Sequence, residues 1–555
     1  MIADIHTVPD GAALEADLCI IGAGAAGIVL AREFLHSSLK VILLESGGFR
    51  RDTRVQSLYS GDSIGETYYQ ELHECRTRCF GGSTNCWAGI CTPLNSIDFE
   101  ARPWVPWSGW PVNSAELEPY LRRAHGICGR GPFLYDSRAW KLMRLPAGDF
   151  RPDRFQQFVW HFNNRDGGYR FGKRFRQELR GASNIHVFLH ANATALVTDQ
   201  SGRSVEQAVV RTFDGRTARV RAKIFVLASG AIENARILLA STSHYPSGLG
   251  NHRDLVGRFF QEHLQVPCGF LHVADPRSPA VQYSRLSKMG SAYCLPGLSL
   301  APEMQKAHQT LNGSIAVDPF YDSEGAWIAF QKLRSDWKNG RLRGLAFRRL
   351  WTVVRDSPTL APIAWRRLVH GERARGDSHR FVIYARAEQA PNPESRVFLT
   401  EERDPLGMRR ACLDWRTSPL DRKAIRLMAS LAAAEFTRVG LGHVTQAPWL
   451  SGEAWPADLV GGPHHMGTTR MSDDDSSGVV DRNCRVHGLD GLYLAGSSVF
   501  PTGGHANPTL TILALTLRLA EHLRSVFGDW SAASANSRGT RLQPDSQVPV
   551  VSEMP

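Results

Sequence analysis

The sequence predicts a two-domain α/β protein, a parallel sheet covered by helices and joined to an antiparallel domain, and three observations predict it. The first is a strand, glycine turn, helix and second strand at residues 17–48. The second is another strand-to-helix crossing at 224–240, where a continuous apolar run turns through Ala228-Ser229-Gly230 into AIENARILLA. The third is a change of pattern from about 266 to 450, where short alternating segments such as FVIYARAEQ and SRVFLTE are separated by turns. A chain of 555 residues also exceeds what one hydrophobic core supports.

Asp17 to Ile21 is apolar at four of its five positions, as in a strand buried on both faces. Gly22, Gly24 and Gly27 follow on the GxGxxG spacing. The first permits the tight turn, the second lets backbone approach a pyrophosphate, and the third lets helix pack on strand. The helix expected over 25–36 points its free amides and partial positive charge at that pyrophosphate. Lys40 to Leu44 is the next strand, and Glu45, 18 residues beyond Gly27, can accept from both ribose hydroxyls. The glycine spacing alone fits any turn between strand and helix. With the flanking strand, the helix and the acid it makes a Rossmann-like dinucleotide site, which leaves NAD and FAD both open. No second GxGxxG follows, which disfavours a reductase with separate flavin and nicotinamide sites; with FAD here, the electrons come from the substrate.

The composition, 43% hydrophobic and 21% charged, is that of an ordinary soluble globular protein. No apolar run approaches the roughly 18 residues that span a bilayer. The start, MIADIHTVPDGAALEAD, lacks a basic region followed by an apolar one, so no signal peptide is expected. Ten cysteines are too few for a disulfide scaffold, which fits a reducing cytoplasm. Cys75, Cys79, Cys86 and Cys91 cluster, but their spacing matches no zinc or ferredoxin pattern, and no metal is expected.

The formal charge of +11 is uneven: residues 331–380 hold 13 Lys or Arg against four acids. Apolar residues interleave in LAFRRLWTVV and IAWRRLV, a pattern of short amphipathic helices. A solvated helical cap and a peripheral contact with an anionic surface both fit. Nucleic acid does not, because no aromatic platform or recognition helix accompanies the charge.

Further along, Gly81 and Gly82 with Ser83, Thr84 and Asn85 form a polar turn able to offer amides and hydroxyls to a cofactor. Ser114 caps a helix leading into ELEPYLRRAHGI. Residues 184–240 alternate as strands entering a sheet. In 461–523, Leu492 to Ala495 is a strand, Gly496-Ser497-Ser498 its turn, and Pro508 to Leu523 an apolar helix with Asn507 at its start. His464, His465, His505 and Asn507 thereby fall on loops beside a helix amino terminus, where functional side chains concentrate. From Ser531 the chain turns rich in Ser, Pro, Gln and Ala, and disorder is expected.

Taken in order, GAGAAG with Glu45, RCFGGSTNCWAG, VLASGAIENARILL, GLGNHRDLVGRFFQEH, EQAPNPESRVFL, HHMGTTRM, GVVDRNCRVHGLDGLYLAGSSVFPT and ANPTLT resemble the glucose-methanol-choline (GMC) flavin oxidoreductases from about residue 17 to 523. The form of the glycine loop and ANPTLT are more similar to the pyranose-oxidase and sugar or polyol dehydrogenase branch. The resemblance implies FAD rather than NAD. It implies a Rossmann-like cofactor domain of three pieces, 1–110, 185–265 and 455–530, and an antiparallel substrate domain, 111–184 and 266–454, carrying the basic cap. Position by position, it assigns catalysis to His464, the base, and Asn507. It places Gly22, Gly24, Ala25, Ala26, Gly27, Glu45 and Ser46 at the adenosine diphosphate, with Ala195 and Ser229 nearby. Arg78, Gly81, Gly82, Ser83, Asn85, Trp87 and Ala88 fall along the pyrophosphate and flavin, and Gly496, Ser497, Asn507, Pro508 and Thr509 at the C-terminal flavin contacts. Cys86 stands where covalently flavinylated relatives carry histidine, so noncovalent FAD is expected. Gly496 stands where many relatives carry aspartate.

The implied activity is FAD-dependent oxidation of a primary or secondary alcohol, of the sugar, aminosugar, glycoside or cyclitol kind. Oxygen, a quinone or an electron-transfer protein could take the electrons. Two alternatives share the fold: a lyase whose flavin performs no redox turnover, and a flavin subunit serving a quinone or cytochrome, since fold does not fix chemistry.

Overall fold

The computed structural model describes residues 1–65, 71–128, 131–145, 148–162, 170–275, 279–290, 292–320, 379–456 and 459–539, with a few isolated positions between 321 and 378. Nearly all of the basic segment 331–380, and residues 540–555 of the tail, lie outside the described residues.

One sheet is mainly parallel. Its order is Ile2–Asp4, Ile185–Leu189, Val41–Leu44, Ala12–Ile21, Thr217–Leu227, Val205–Arg211 and Asn192–Thr198, and Leu492–Leu494 also pairs with Thr217–Leu227. Leu18, Val41, Ile224 and Leu492 are all inaccessible to solvent, so strands of this kind need helices on both faces. Helix Ala25–Glu33 packs against helix Thr509–Gly539, which helix Ser114–Cys128 also contacts, and helix Ala231–Ala240 packs on strand Asn192–Thr198. The first long strand starts at Ala12, five residues before the apolar run. Its early half alternates between exposed and half-buried residues and pairs with Ala218 to Ala222.

The second sheet is antiparallel. It runs His443–Gln446, Leu264–His272, Arg380–Ala387, Gly313–Pro319, Ala292–Leu300, Phe155–Phe162 and Ile90–Cys91, with Val460–Gly461 added to Leu264–His272. Helix Pro419–Arg438 covers it, started by Ser418 and Asp421, which cap each other's backbone amides.

The boundaries differ from those expected in three ways. Helices Ser114–Cys128 and Phe171–Gly181 pack on helices of the parallel layer, so 111–184 does not belong as a block to the antiparallel domain. An amphipathic helix reveals that one face is buried, not which layer buries it. Strands Arg396–Arg403 and Arg409–Trp415 join Ser63–Gly65 in a small separate sheet that contacts helix Ala231–Ala240. The last helix continues to Gly539, past the expected boundary at Ser531, because its alanine-rich continuation is compatible with helix.

The crossing of helix and strand depends on Gly27. A Cβ there would lie 1.9 Å from the Gly22 carbonyl oxygen. Gly22 is itself at φ 105°, and a Cβ on it would meet Ala228 O at 2.7 Å. Gly27→Val is expected to cost about 1–3 kcal/mol through overpacking and to shift the helix that flanks the turn. A lower urea midpoint with loss of bound flavin is the expected result, and unchanged values of both would contradict it.

Candidate active site

A cavity of about 600 Å³ lies where the two sheets meet. The parallel layer supplies Gly22, Gly24, Glu45 and Ser46 to its wall, and the antiparallel sheet supplies Gln265 and Arg386, with His263 just before the strand Leu264–His272. Backbone forms much of the first wall. A Cβ on Gly24 would meet only Ala228 O, at 3.9 Å, and one on Gly496 would meet nothing within 4 Å. A Cβ on Gly82 would lie 2.9 Å from Gly24 Cα, so the two glycine loops meet without side chains between them. The amino terminus of helix Ala25–Glu33 and the Asn507-Pro508-Thr509 entry to the last helix both open on the cavity. Two helix starts and bare backbone suit a pyrophosphate and a flavin that gathers negative charge. Glu45 accepts from Ala23 N at 3.1 Å and Gly47 N at 2.8 Å while remaining on the cavity wall. Burial pushes its carboxyl up, and those two amides pull against it. These residues fit FAD on chemistry and shape.

Beside this wall, Glu233 anchors the loop before the second glycine pair. It accepts from Arg76 Nη1 at 3.1 Å and Arg78 Nη1 at 3.0 Å, with Arg236 Nη1 at 3.4 Å. Burial raises the Glu233 carboxyl, but Arg236, Arg78 and Arg76 more than reverse it, to about 2. Arg78 Nε also donates to Ser46 Oγ at 2.6 Å, and Arg76 and Arg78 stack over the Tyr59 ring at 4.0 and 4.7 Å.

Most of the sequence-predicted cofactor residues line the cavity: Gly22, Gly24, Ala25, Ala26, Glu45, Ser46, Arg78, Gly82, Ser83, Trp87, Ala88, Ser229, Gly496, Ser497, Asn507, Pro508 and Thr509. Four do not. Gly27 serves helix packing, and Gly81, at φ 98°, lets Gly172 approach. Asn85 donates its amide to Phe80 O and Gly82 O, both at 3.0 Å, and so holds the loop's shape. Ala195 is replaced by Ala191 and Ala193, because a bulge between Ala193 and Ala195 breaks the alternation of the strand.

His464 and Asn507 come together: Asn507 Nδ2 lies 3.1 Å from His464 Nε2. On the other side His464 Nδ1 lies 2.8 Å from His263 Nδ1, and His263 Nε2 lies 3.3 Å from Gly503 O. A carbonyl only accepts, so His263 carries its proton on Nε2 and accepts at Nδ1. His464 therefore donates from Nδ1 and keeps a lone pair on Nε2, which receives the Asn507 amide. Glu262, fully buried, fixes the loop by accepting from His464 N at 2.9 Å and Gly462 N at 3.1 Å. Burial, then His263 and Arg386, hold the His464 pKa well below the usual histidine range.

The neighbouring histidines are engaged elsewhere. His465 Nε2 lies 3.4 Å from Glu262 Oε1 and 3.7 Å from Cys75 Sγ. His505 does not line this cavity; its Nε2 meets Asn95 Oδ1 at 2.9 Å. The clustered cysteines also diverge: Cys75 faces His465, Cys86 donates to Ser83 O at 3.3 Å, and Cys91 engages Cys128. Sequence reasoning missed His263, Gln265, Arg386, Glu262, Arg76 and Glu233. The available signals were a charged residue inside the apolar strand FVIYARA and the QEH that closes GLGNHRDLVGRFFQEH.

Residues 391–516 match the GMC oxidoreductase family. The chain is 27% identical to 6'''-hydroxyparomomycin C oxidase of Streptomyces lividus over 92% of this chain and 91% of that one. It is likewise 27% identical to paromamine 6'-oxidase of Streptomyces fradiae, over 92% and 91%. Among solved structures, that of pyridoxine 4-oxidase from Mesorbium loti shares the fold with a TM-score of 0.55 at 17% identity, covering 92% of this chain and 99% of that one. Fold, cavity and relatives define an FAD-dependent oxidoreductase acting on alcohols. The GMC oxidoreductase match lies in residues 391–516, and the similarity to these relatives extends over 92% of the chain. Among the described residues, no helix is long and apolar enough to cross a membrane.

The depressed Glu233 carboxyl ties stability to pH. A group with a lowered folded pKa contributes fully above its unfolded value, about 4.3, and loses that contribution as pH falls through the folded value. With the folded value at about 2, the loss amounts to about 3 kcal/mol. Urea unfolding between pH 6 and 3 is expected to show a decline that Glu233→Gln flattens, from a lower starting stability because Arg76 and Arg78 lose their carboxylate. Parallel pH profiles for the two proteins would contradict it.

Proposed function

We propose that the chain oxidises a hydroxyl of a sugar, aminosugar, glycoside or cyclitol to a carbonyl, with His464 as base and Asn507 holding the substrate oxygen. The observation that carries this reading is the hydrogen-bonded line from Gly503 O through His263 and His464 to Asn507. The relatives that act on paromamine and hydroxyparomomycin C support a sugar-type alcohol, and their being oxidases supports oxygen as electron acceptor.

Bound in the cavity, FAD supplies the acceptor for the hydride that leaves the carbinol carbon. The hydroxyl proton must leave with it, and His464 Nε2 presents the lone pair for that proton. A depressed pKa keeps this nitrogen unprotonated at neutral pH. His263 fixes which nitrogen is free, and Glu262 fixes the loop. The substrate hydroxyl takes the place of the Asn507 amide on His464 Nε2, and the released Asn507 Nδ2 donates to the substrate oxygen. The start of the last helix favours charge developing on oxygen.

His464→Ala is expected to slow anaerobic flavin reduction by about 100- to 10,000-fold with FAD retained, the range of a lost general base. His465→Ala should cost far less and Asn507→Ala an intermediate amount. Near wild-type reduction by His464→Ala, or the large loss in His465→Ala instead, would contradict the assignment.

The FAD is held noncovalently on this reading. Cys86 lines the cavity as a free thiol, but its Sγ is turned to Ser83 O and Thr77 Oγ1. Acid precipitation should leave yellow flavin in the supernatant; flavin retained in the pellet would overturn the claim.

A further inference from the structure

Arg76, Arg78 and Arg386 all reach the cavity wall, and they differ in what neutralises them. Arg76 and Arg78 share Glu233. Buried arginines elsewhere are matched too: Arg102 to Glu388 and Arg236 to Asp404, each at 2.7 Å. Arg386, on strand Arg380–Ala387, has no such match, and unlike Arg470, which also lacks a carboxylate but donates Nη2 to Trp107 O away from this site, it lines the cavity. Its Nε donates to Gln265 Oε1 at 3.0 Å, and its guanidinium carbon stands 5.5 Å from the Trp160 ring centre. Among the described residues no carboxylate pairs with it, and only Asp318 acts at longer range to offset the burial that pushes its pKa down. A guanidinium half-withdrawn from water on a cavity wall, with no counter-ion, can be matched by a partner from outside the chain.

We propose that Arg386 receives a carboxylate carried by the substrate, so that the preferred alcohol is a sugar acid or similar polyhydroxy acid rather than a neutral or amino sugar. The reading rests on the cavity being the alcohol-oxidising site. With Nε already given to Gln265, Nη1 and Nη2 remain for the two oxygens of a carboxylate, a match of planar forks that an ammonium could not make. His464 and His263 stand on the same cavity, close enough that Arg386 acts on the charge of both. An anion bound here would sit beside the reacting hydroxyl. A protonated amino group in the same place would face the guanidinium and be repelled. The competing use for Arg386 is to stabilise charge on the cofactor itself, and the experiment separates the two.

Anaerobic titration of the FAD-loaded protein with D-glucuronate, D-glucose and D-glucosamine, followed by flavin absorbance, gives Kd for each whether or not it is turned over. D-glucuronate should bind about 10- to 100-fold more tightly than D-glucose, the range of a charge-assisted hydrogen-bonded pair, and D-glucosamine most weakly. Arg386→Gln should cut the preference for D-glucuronate over D-glucose at least tenfold, and Arg386→Lys should restore part of it. No preference in the wild type, or a preference unchanged in Arg386→Gln, overturns the proposal. An unchanged preference with a lowered flavin midpoint potential assigns Arg386 to the cofactor instead. Arg386-dependent binding of D-glucuronate with no flavin bleaching by any alcohol would leave the subsite standing and remove the oxidation reading.

Discussion

The architecture depends on backbone meeting backbone at the glycine turn. Gly27 leaves no room for a Cβ against the Gly22 carbonyl, and Gly82 approaches Gly24 so closely that a Cβ on Gly82 would crowd the Gly24 backbone. These contacts draw the first helix, the 78–88 loop and the Ala228 turn onto the carboxyl ends of the parallel strands. That is where doubly wound sheets bind their ligands. Everything else on the cavity wall, from the last helix to the antiparallel sheet, is arranged around this bare surface.

Charge is handled in two ways around the one cavity. At Glu233, one carboxylate is shared by Arg76, Arg78 and Arg236, the last also paired with Asp404, and this set fixes the shape of the loop. On the antiparallel sheet the guanidinium of Arg386 is left unmatched, next to imidazoles held neutral by burial. The first arrangement is structural and the second is poised for a ligand. In a low-dielectric site such differences weigh more than they would in water.

What the sequence made legible follows from range. The turn around Gly22, the strands beside it and the Asn507 entry to the last helix are written in a few consecutive residues, and each lines the cavity. His263 and His464 are 201 residues apart, and Arg386 and Gln265 are 121 apart; nothing local announces such contacts. The bulge that swaps Ala195 for Ala193 is set by pairing with Val209 and Val210 on the neighbouring strand. Helices Ser114–Cys128 and Phe171–Gly181, within the range 111–184 expected in the substrate domain, pack on the parallel layer, and their apolar faces alone fit either layer.

We propose that a single cavity orients FAD so that its reactive ring faces the His464–Asn507 pair while Glu45 holds the far end. A crystal structure of the FAD-loaded protein tests it directly. The expected result is the flavin ring beside His464 and Asn507, near His263 and the strand that carries Arg386, with the adenosine ribose at Glu45 and the adenine near Ala191. A cofactor bound in the reverse sense, or one whose ring is screened from His464 by protein, would contradict it.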